Sequence, residues 1–329
     1  MKTPKLFVKL PDYVSTPDGM AIDSKGDLIL SCPNFADLSM PGLVMKIDKN
    51  KNMTKLFEVP VHPETGCARP MGIALDAHDH MYICDNQAWP GDPARQFKCR
   101  ILRVEFDGKR ITKCVTVANR MEHPNGIKIR GNYMYVTESK MTKIKHPSGL
   151  LVSGVYRFAL DDENIDVENT LDDPNLLTTY VSLNADYQYG TDGLAISASG
   201  DLYVGVFGDG AVYKTTFNED ASVKETVLFA KNPEELKSTD GMTFDDAGNL
   251  YIADFNVNAI VRVTPDGTVS RFAQSPDCDG FDGGLDQPGE PCIWGDKIIV
   301  SCFDLITGRE DTFNTQHELP ATLSELPLN

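Results

Sequence analysis

No stretch of the 329 residues is apolar for long enough to span a bilayer. The opening segment, MKTPKLFVKLPDYV, is interrupted by Lys2, Lys5 and Lys9 and by Pro4 and Pro11, so it lacks the unbroken core of a secretory signal. The eight cysteines (32, 67, 84, 99, 114, 278, 292 and 302) show no C-x-x-C spacing and are too sparse to staple a secreted mini-scaffold; a reduced, cytoplasmic protein is expected. Positive charge is in short supply. Against 48 Asp and Glu stand 31 Lys and Arg, and the resulting net charge of −17 opposes nucleic acid and anionic lipid as partners while favouring cations. The acid excess also suits a soluble surface, so only carboxylates that converge bear on function. Sustained helical periodicity is missing, with Asn232-Pro-Glu-Glu-Leu reading as a single turn. No Gly-x-Ser-x-Gly, His-Glu-x-x-His or phosphate loop occurs, which removes serine-nucleophile, zincin and nucleotide chemistries.

What the chain does contain is one phrase in six copies: TPDGMAIDSKGDLILSC, RPMGIALDAHDHMYICD, HPNGIKIRGNYMYVTES, GTDGLAISASGDLYVGVFG, STDGMTFDDAGNLYIADF and GEPCIWGDKIIVSCFD. Each begins with a short apolar strand, turns at a unit such as Lys25-Gly26-Asp27, Ala247-Gly248-Asn249 or Gly295-Asp296, and continues into a second apolar strand such as Leu250-Tyr-Ile-Ala253. Further strands follow in most copies, as in Asn258-Ala-Ile-Val-Arg-Val and Thr268-Val-Ser-Arg-Phe around Pro265-Asp-Gly. Four antiparallel strands per unit and six units predict an all-β chain, a six-bladed β-propeller forming a single domain over 1–329. Lys5–Leu10 looks like an outermost strand without inner partners, and the last unit, from Glu290 to Thr322-Leu-Ser-Glu-Leu, needs one more; the two are expected to pair and close the ring. Cys32, Cys84 and Cys302 occupy matching places late in second strands and read as packing residues. Two insertions stand out, Gln87 to Phe97 and the long 125–192 interval; each walls a site or runs over the surface.

The third position of the phrase holds Asp18, Met71, Asn125, Asp192, Asp240 and Glu290. The first strand of a blade lines a propeller's central channel, so these six would form a ring. Four carboxylates and an amide brought together repel one another unless a cation neutralises them or some take up protons. Oxygen ligands of this kind suit Ca²⁺ or Mg²⁺, and carboxylates also take Zn²⁺ and Mn²⁺. The alternative is that Asp-Gly and Asn-Gly are turn dipeptides whose side chains bond nearby amides. Polar groups at the ends of second strands (Asp85 and Asn86, Glu138, Asp254, Asp304) are candidates to support the ring or to serve turns, and His123 and His317 read as ordinary hydrogen-bonded histidines.

The phrases, above all His123-Pro-Asn-Gly-Ile127 followed by Thr191-Asp-Gly-Leu194, resemble the gluconolactonase and senescence-marker-protein (regucalcin-like) family, six-bladed hydrolases that require calcium or zinc. They resemble squid-type diisopropylfluorophosphatase and the paraoxonases more weakly. The resemblance implies a metal held by a Glu, an Asn and an Asp, often with a further Asn. Asn125 matches the Pro-Asn-Gly asparagine and Asp192 the aspartate that follows it. The family's Glu stands near the N-terminus, where this chain has Asp18; its one Glu-Pro phrase is Gly289-Glu290-Pro291. One reading therefore rotates the blade order by one, with Glu290 as the metal glutamate and Met71 in place of the extra Asn; the other uses Asp18, Asn125, Asp192 and Asp240.

On this resemblance the expected activity is hydrolysis of a small-molecule lactone with one divalent ion, Ca²⁺ first. The ion polarises the carbonyl and Asp192 activates the water, or attacks directly. An organophosphate ester hydrolase or a lyase would use the same scaffold. A non-catalytic binding propeller of the NHL type is the reading from another class, and the acidic ring speaks against it.

Overall fold

In the computed structural model, which describes residues 1–328, the runs read from the sequence become six antiparallel sheets. Blade 1 is Met20–Ile22, Leu28–Cys32, Leu43–Ile47 and Met53–Glu58. Blade 2 is Pro70–Leu75, Met81–Asp85, Cys99–Asp107 and Arg110–Met121. Pro124–Arg130, Tyr133–Glu138, Val152–Ala159 and Leu176–Val181 make blade 3. Thr191–Ile196, Leu202–Val206, Ala211–Phe217 and Val223–Lys231 make blade 4. Blade 5 is Met242–Phe244, Leu250–Asp254, Ala259–Val263 and Val269–Gln274. Blade 6 takes Pro288–Trp294, Lys297–Cys302 and Thr322–Pro327 from one end of the chain and Lys5–Lys9 from the other. The architecture is the six-bladed β-propeller, with helical structure limited, among the described residues, to three short 3-10 turns.

By density of contacts the chain parts into two units. The first comprises Met1–Asp18, Asn34–Met40 and everything from Gly193 onward; the second comprises Gly19–Pro33 and Pro41–Asp192. Blades 1 to 3 lie in the second unit, and blades 5, 6 and almost all of blade 4 in the first.

The second strand of each sheet is the most apolar in sequence and the most covered in space. Leu28–Cys32, Met81–Asp85, Leu202–Val206 and Leu250–Asp254 are buried at every position. A strand covered on both faces needs no alternation, which is why these read as continuous runs. Outer strands alternate or turn polar, as Met53–Glu58 and Val223–Lys231 do. Neighbouring sheets share cores. In the second unit Ile29 and Val44 of blade 1 pack with Ile83 and Leu102 of blade 2; in the first, Tyr251 and Ile260 of blade 5 pack with Ile298, Val300 and Leu326 of blade 6.

Within the first unit the chain ends meet as expected. Lys5 lies opposite Glu325 and Lys9 opposite Thr322. The N-terminal strand thereby covers an edge that would otherwise expose unpaired backbone groups. Part of the long 125–192 interval leaves blade 3 between its third and fourth strands. Its Ile165–Asp166 pairs in parallel with Ala118–Asn119, adding a fifth strand to blade 2. All eight cysteines are free thiols, and Cys32, Cys84 and Cys302 are fully buried in second strands. No helix among the described residues is long and apolar enough to cross a membrane.

Candidate functional site

Each ring residue stands where its first strand begins. Asp18, Met71, Asn125 and Asp192 are 2–5% exposed, and Asp240 and Glu290 are half-buried. In blades 2, 3 and 6 the ladder slips between Pro70 and Ile73, between Pro124 and Ile127, and between Pro288 and Pro291, so Met71, Asn125 and Glu290 sit inside β-bulges. A bulge breaks the in-out alternation and re-aims a side chain, a common device beside functional sites.

None of the glycines that follow these residues has a positive φ, and Asp240 Oδ1 accepts from the amide of Gly241 at 2.9 Å, as the local-bonding alternative expects. The glycines also permit close approach. A Cβ on Gly72 would collide with the carbonyl oxygen of Asn125 in the adjoining blade, and one on Gly241 would collide with the Glu290 carboxylate. Glycine after the ring residue is therefore what lets one first strand lie against the next.

Within the second unit this stacking is held by hydroxyls: Ser31 Oγ donates to the Met71 carbonyl at 2.5 Å, and Thr137 Oγ1 donates to the Asp192 carbonyl at 2.5 Å. Asn125 and Asp192 thus occupy equivalent points of adjacent blades. Within the first unit Gly241 N donates to Gly289 O at 2.9 Å, Glu290 N donates to Ser301 Oγ at 2.9 Å, and a Cβ on Gly289 would stand 3.1 Å from Asp18 Oδ1. Asp18, Asp240 and Glu290 are brought together there.

Most of the strand-end acids considered as supports for the ring do something more local. Asp85 accepts from Arg69 N at 2.7 Å and from Arg100 Nε at 2.8 Å. Glu138 accepts from Glu122 N at 3.1 Å and from His123 N. Asp254 accepts from Lys237 N at 2.7 Å, Ser238 N at 2.9 Å and Ser238 Oγ at 2.8 Å. In blade 1 the position belongs to Asn34, whose Oδ1 accepts from Ser15 N at 2.9 Å and Thr16 N at 3.4 Å. The donors lie two or three residues before Met71, Asn125, Asp240 and Asp18. A polar group closing the second strand therefore pins the backbone that delivers the ring residue. Burial pushes the Asp85 carboxyl up, Asp254 up to about 6 and Glu138 well above the usual range, and the amide hydrogen bonds partly oppose this.

The Gln87–Phe97 insertion walls a cavity of about 250 Å³ in the second unit, lined by Ala88, Gln96, Glu122, His123, Lys140 and Thr142 among others. His123 Nδ1 lies 2.9 Å from Asn86 Nδ2, and its ring meets Tyr189 edge-on at 5.4 Å. Burial holds His123 well below its ordinary pKa and lowers Lys140 as well. His123, Lys140 and Glu122 thus face one space, with His123 directly before the strand that carries Asn125. Lys140, Glu122 and Tyr189 escaped the sequence reading because they belong to loops, outside the repeat. In the first unit Phe207, Phe255, Phe303 and Phe35 form an aromatic chain with centroid spacings of 5.7, 5.6 and 6.2 Å. The first three directly follow second strands, a repeat signal that was present in the phrases.

Among the described residues, one group of three acids has oxygens all within 4.8 Å of one another: Asp286, Asp304 and Glu318 of blade 6. Of these the sequence reading had noted Asp304 alone.

No family model and no curated protein matches the chain. Solved structures do match, over nearly its whole length. A gluconolactonase from Xanthomonas campestris superposes with a TM-score of 0.59 and 16% identity, covering 100% of this chain and 96% of its own. A calcium-binding protein, regucalcin, from Agrobacterium tumefaciens gives 0.60 and 12%, covering 99% and 93%. A luciferin-regenerating enzyme gives 0.65 and 13%, covering 99% and 95%. The chain therefore has gluconolactonase and regucalcin structures among its neighbours, and identities this low establish the shared fold.

Proposed function

We propose that the chain is a divalent-metal-dependent hydrolase that opens a small lactone. The observation carrying this reading is the repeat position itself: Asp18, Asn125, Asp192 and Asp240 stand at equivalent strand entries, and Glu290 stands one residue later in blade 6, at the place held by glycine in the other blades. Gluconolactonase and regucalcin neighbours agree with it.

The donor set fits a hard divalent ion, Ca²⁺ first, with Zn²⁺, Mg²⁺ or Mn²⁺ as alternatives. It contains carboxylates and an amide, with neither thiolate nor imidazole. Gly241 supplies a physical test of fit, since the Glu290 carboxylate fills the space that a Cβ at 241 would take, and so lies beside Asp240. Asn125, Asp192 and Glu290 are the proposed ligands, with Asp18 and Asp240 completing the acid set, and Met71 contributes no oxygen. A bound ion would supply a Lewis acid for the lactone carbonyl. Asp192 is the proposed base that takes a proton from the attacking water. Thr137 Oγ1 anchors its backbone carbonyl, and the residue is nearly fully buried. In the second unit the cavity beside His123, Glu122 and Lys140 offers the substrate's hydroxyls and carbonyl both donors and acceptors.

The test is acid release from a panel of sugar-derived and aromatic lactones by protein treated with EDTA and then given back single ions. Activity should vanish with chelation and return with one ion. Asn125→Ala and Asp192→Asn should each lower kcat by about 10²-fold or more, the usual scale for a metal ligand or general base. Full kinetics in both variants would remove the assignment.

A further inference from the structure

In four of the blades, the polar group that closes the second strand is consumed by backbone amides of its own blade. In blade 6 the corresponding amide, that of Gln287, is donated to Asn258 Oδ1 at 3.0 Å. Asp304, two residues beyond the second strand as Asn34 is in blade 1, makes no such cap. Its backbone turns into the left-handed region, at a φ of 45°, and its carboxylate accepts instead from Glu318 N at 2.9 Å and Asn314 Nδ2 at 3.1 Å.

That places Asp304 against two further acids. The oxygens of Asp286, Asp304 and Glu318 all lie within 4.8 Å of one another, from three separate segments of the first unit. Asp286 is 1% exposed, and its Oδ1 has no hydrogen-bond partner among the described residues; Glu318 Oε2 is likewise buried and unpartnered. An unpartnered carboxylate oxygen aimed into two others is costly in a site closed to water. The basic group at hand is His317, whose Nδ1 lies 3.0 Å from Asp304 Oδ2 and 2.7 Å from the Asp304 carbonyl oxygen, on the flank of the cluster. Burial, together with the neighbouring Asp304 and Glu318, pushes the Asp286 carboxyl up to about 8, the response of a group whose charge lacks a counterpart. The segments are tied to each other: Asp277 accepts from Thr315 N at 3.3 Å and Thr315 Oγ1 at 2.5 Å, joining the loop before Asp286 to the loop before Glu318.

We infer that Asp286, Asp304 and Glu318 form a binding site for a hard divalent cation, with Ca²⁺ as the favoured occupant, separate from the ring of first-strand residues. Three carboxylates give oxygen-only ligation with room for waters to complete the six to eight ligands that Ca²⁺ takes. An ion there would bind the loop carrying Glu318 to the first and second strands of blade 6. It would thereby fasten the blade that both chain ends share. The inference does not depend on the ring being catalytic.

Equilibrium dialysis of the EDTA-stripped full chain against Ca²⁺ tests it. The Asp286→Asn/Asp304→Asn double variant should bind one equivalent fewer than the wild-type chain, whereas Asn125→Ala should keep that equivalent. Should the ring hold no ion, the wild type binds one equivalent and the double variant none, so the two readings fail separately. Glu318→Gln, on a half-exposed loop, should fold normally and weaken the same equivalent by about ten-fold or more, as loss of a charged ligand does. Equal binding by wild type, double variant and Glu318→Gln would overturn the inference and assign the buried charge to protonation or to His317.

Discussion

Asp254 closes the second strand of blade 5 and Asp304 stands two residues beyond that of blade 6, and their surroundings differ. Asp254 closes the second strand with three donors from Lys237 and Ser238. Asp304 faces Asp286 and Glu318. Asp254 is taken up by the backbone that leads into its own blade, whereas Asp304 accepts from Glu318 N and Asn314 Nδ2, pairs with His317 and lies against two further acids.

The comparison breaks most sharply by substitution. Asp254→Ala strands two buried amide donors and a hydroxyl, and should cost about 3 kcal/mol, whereas Asp304→Asn in chelator keeps an acceptor for Glu318 N, removes one of three clustered charges and should cost less than about 1 kcal/mol. Urea melts of the two variants beside the wild type measure both, and equal losses would erase the distinction. A smaller effect comes from pH. The Asp254 carboxyl is raised from 3.8 to about 6 by burial, so between these values the folded chain keeps a proton that the unfolded chain has released. Asp254 should therefore make stability fall by about 3 kcal/mol as pH rises through this window, levelling off above it. Asp254→Asn should flatten that part of the profile measured by melts at stepped pH, and an unchanged slope would show that another group carries it.

The fold was legible because its signal is repeated. Six phrases with a turn at a fixed offset became six sheets, and Lys5–Leu10 found its place against Thr322–Pro327. Asp18, Met71, Asn125 and Asp240 fall at equivalent strand entries, whereas Glu290 falls one residue later than its phrase suggests, because the register of blade 6 places Gly289 at the entry. Asp-Gly looks the same in a turn and in a strand, and the close approach of Gly72 to Asn125 O and of Gly241 to the Glu290 carboxylate has no signal in the sequence. Ile165–Asp166 joined blade 2 by a pairing of two residues, too short to carry a periodicity. The His123–Lys140 cavity and the blade 6 acids were hidden because their members come from loops of unrelated length.

The central claim is that residues at the strand entries share one ion. The most direct measurement is an anomalous-difference map from a crystal of the chain grown with Mn²⁺ as a stand-in. The account requires a peak within coordination distance of Asn125, Asp192 and Glu290 side-chain oxygens. Density for the ion at Asp286, Asp304 and Glu318 alone, with the ring empty, would contradict it.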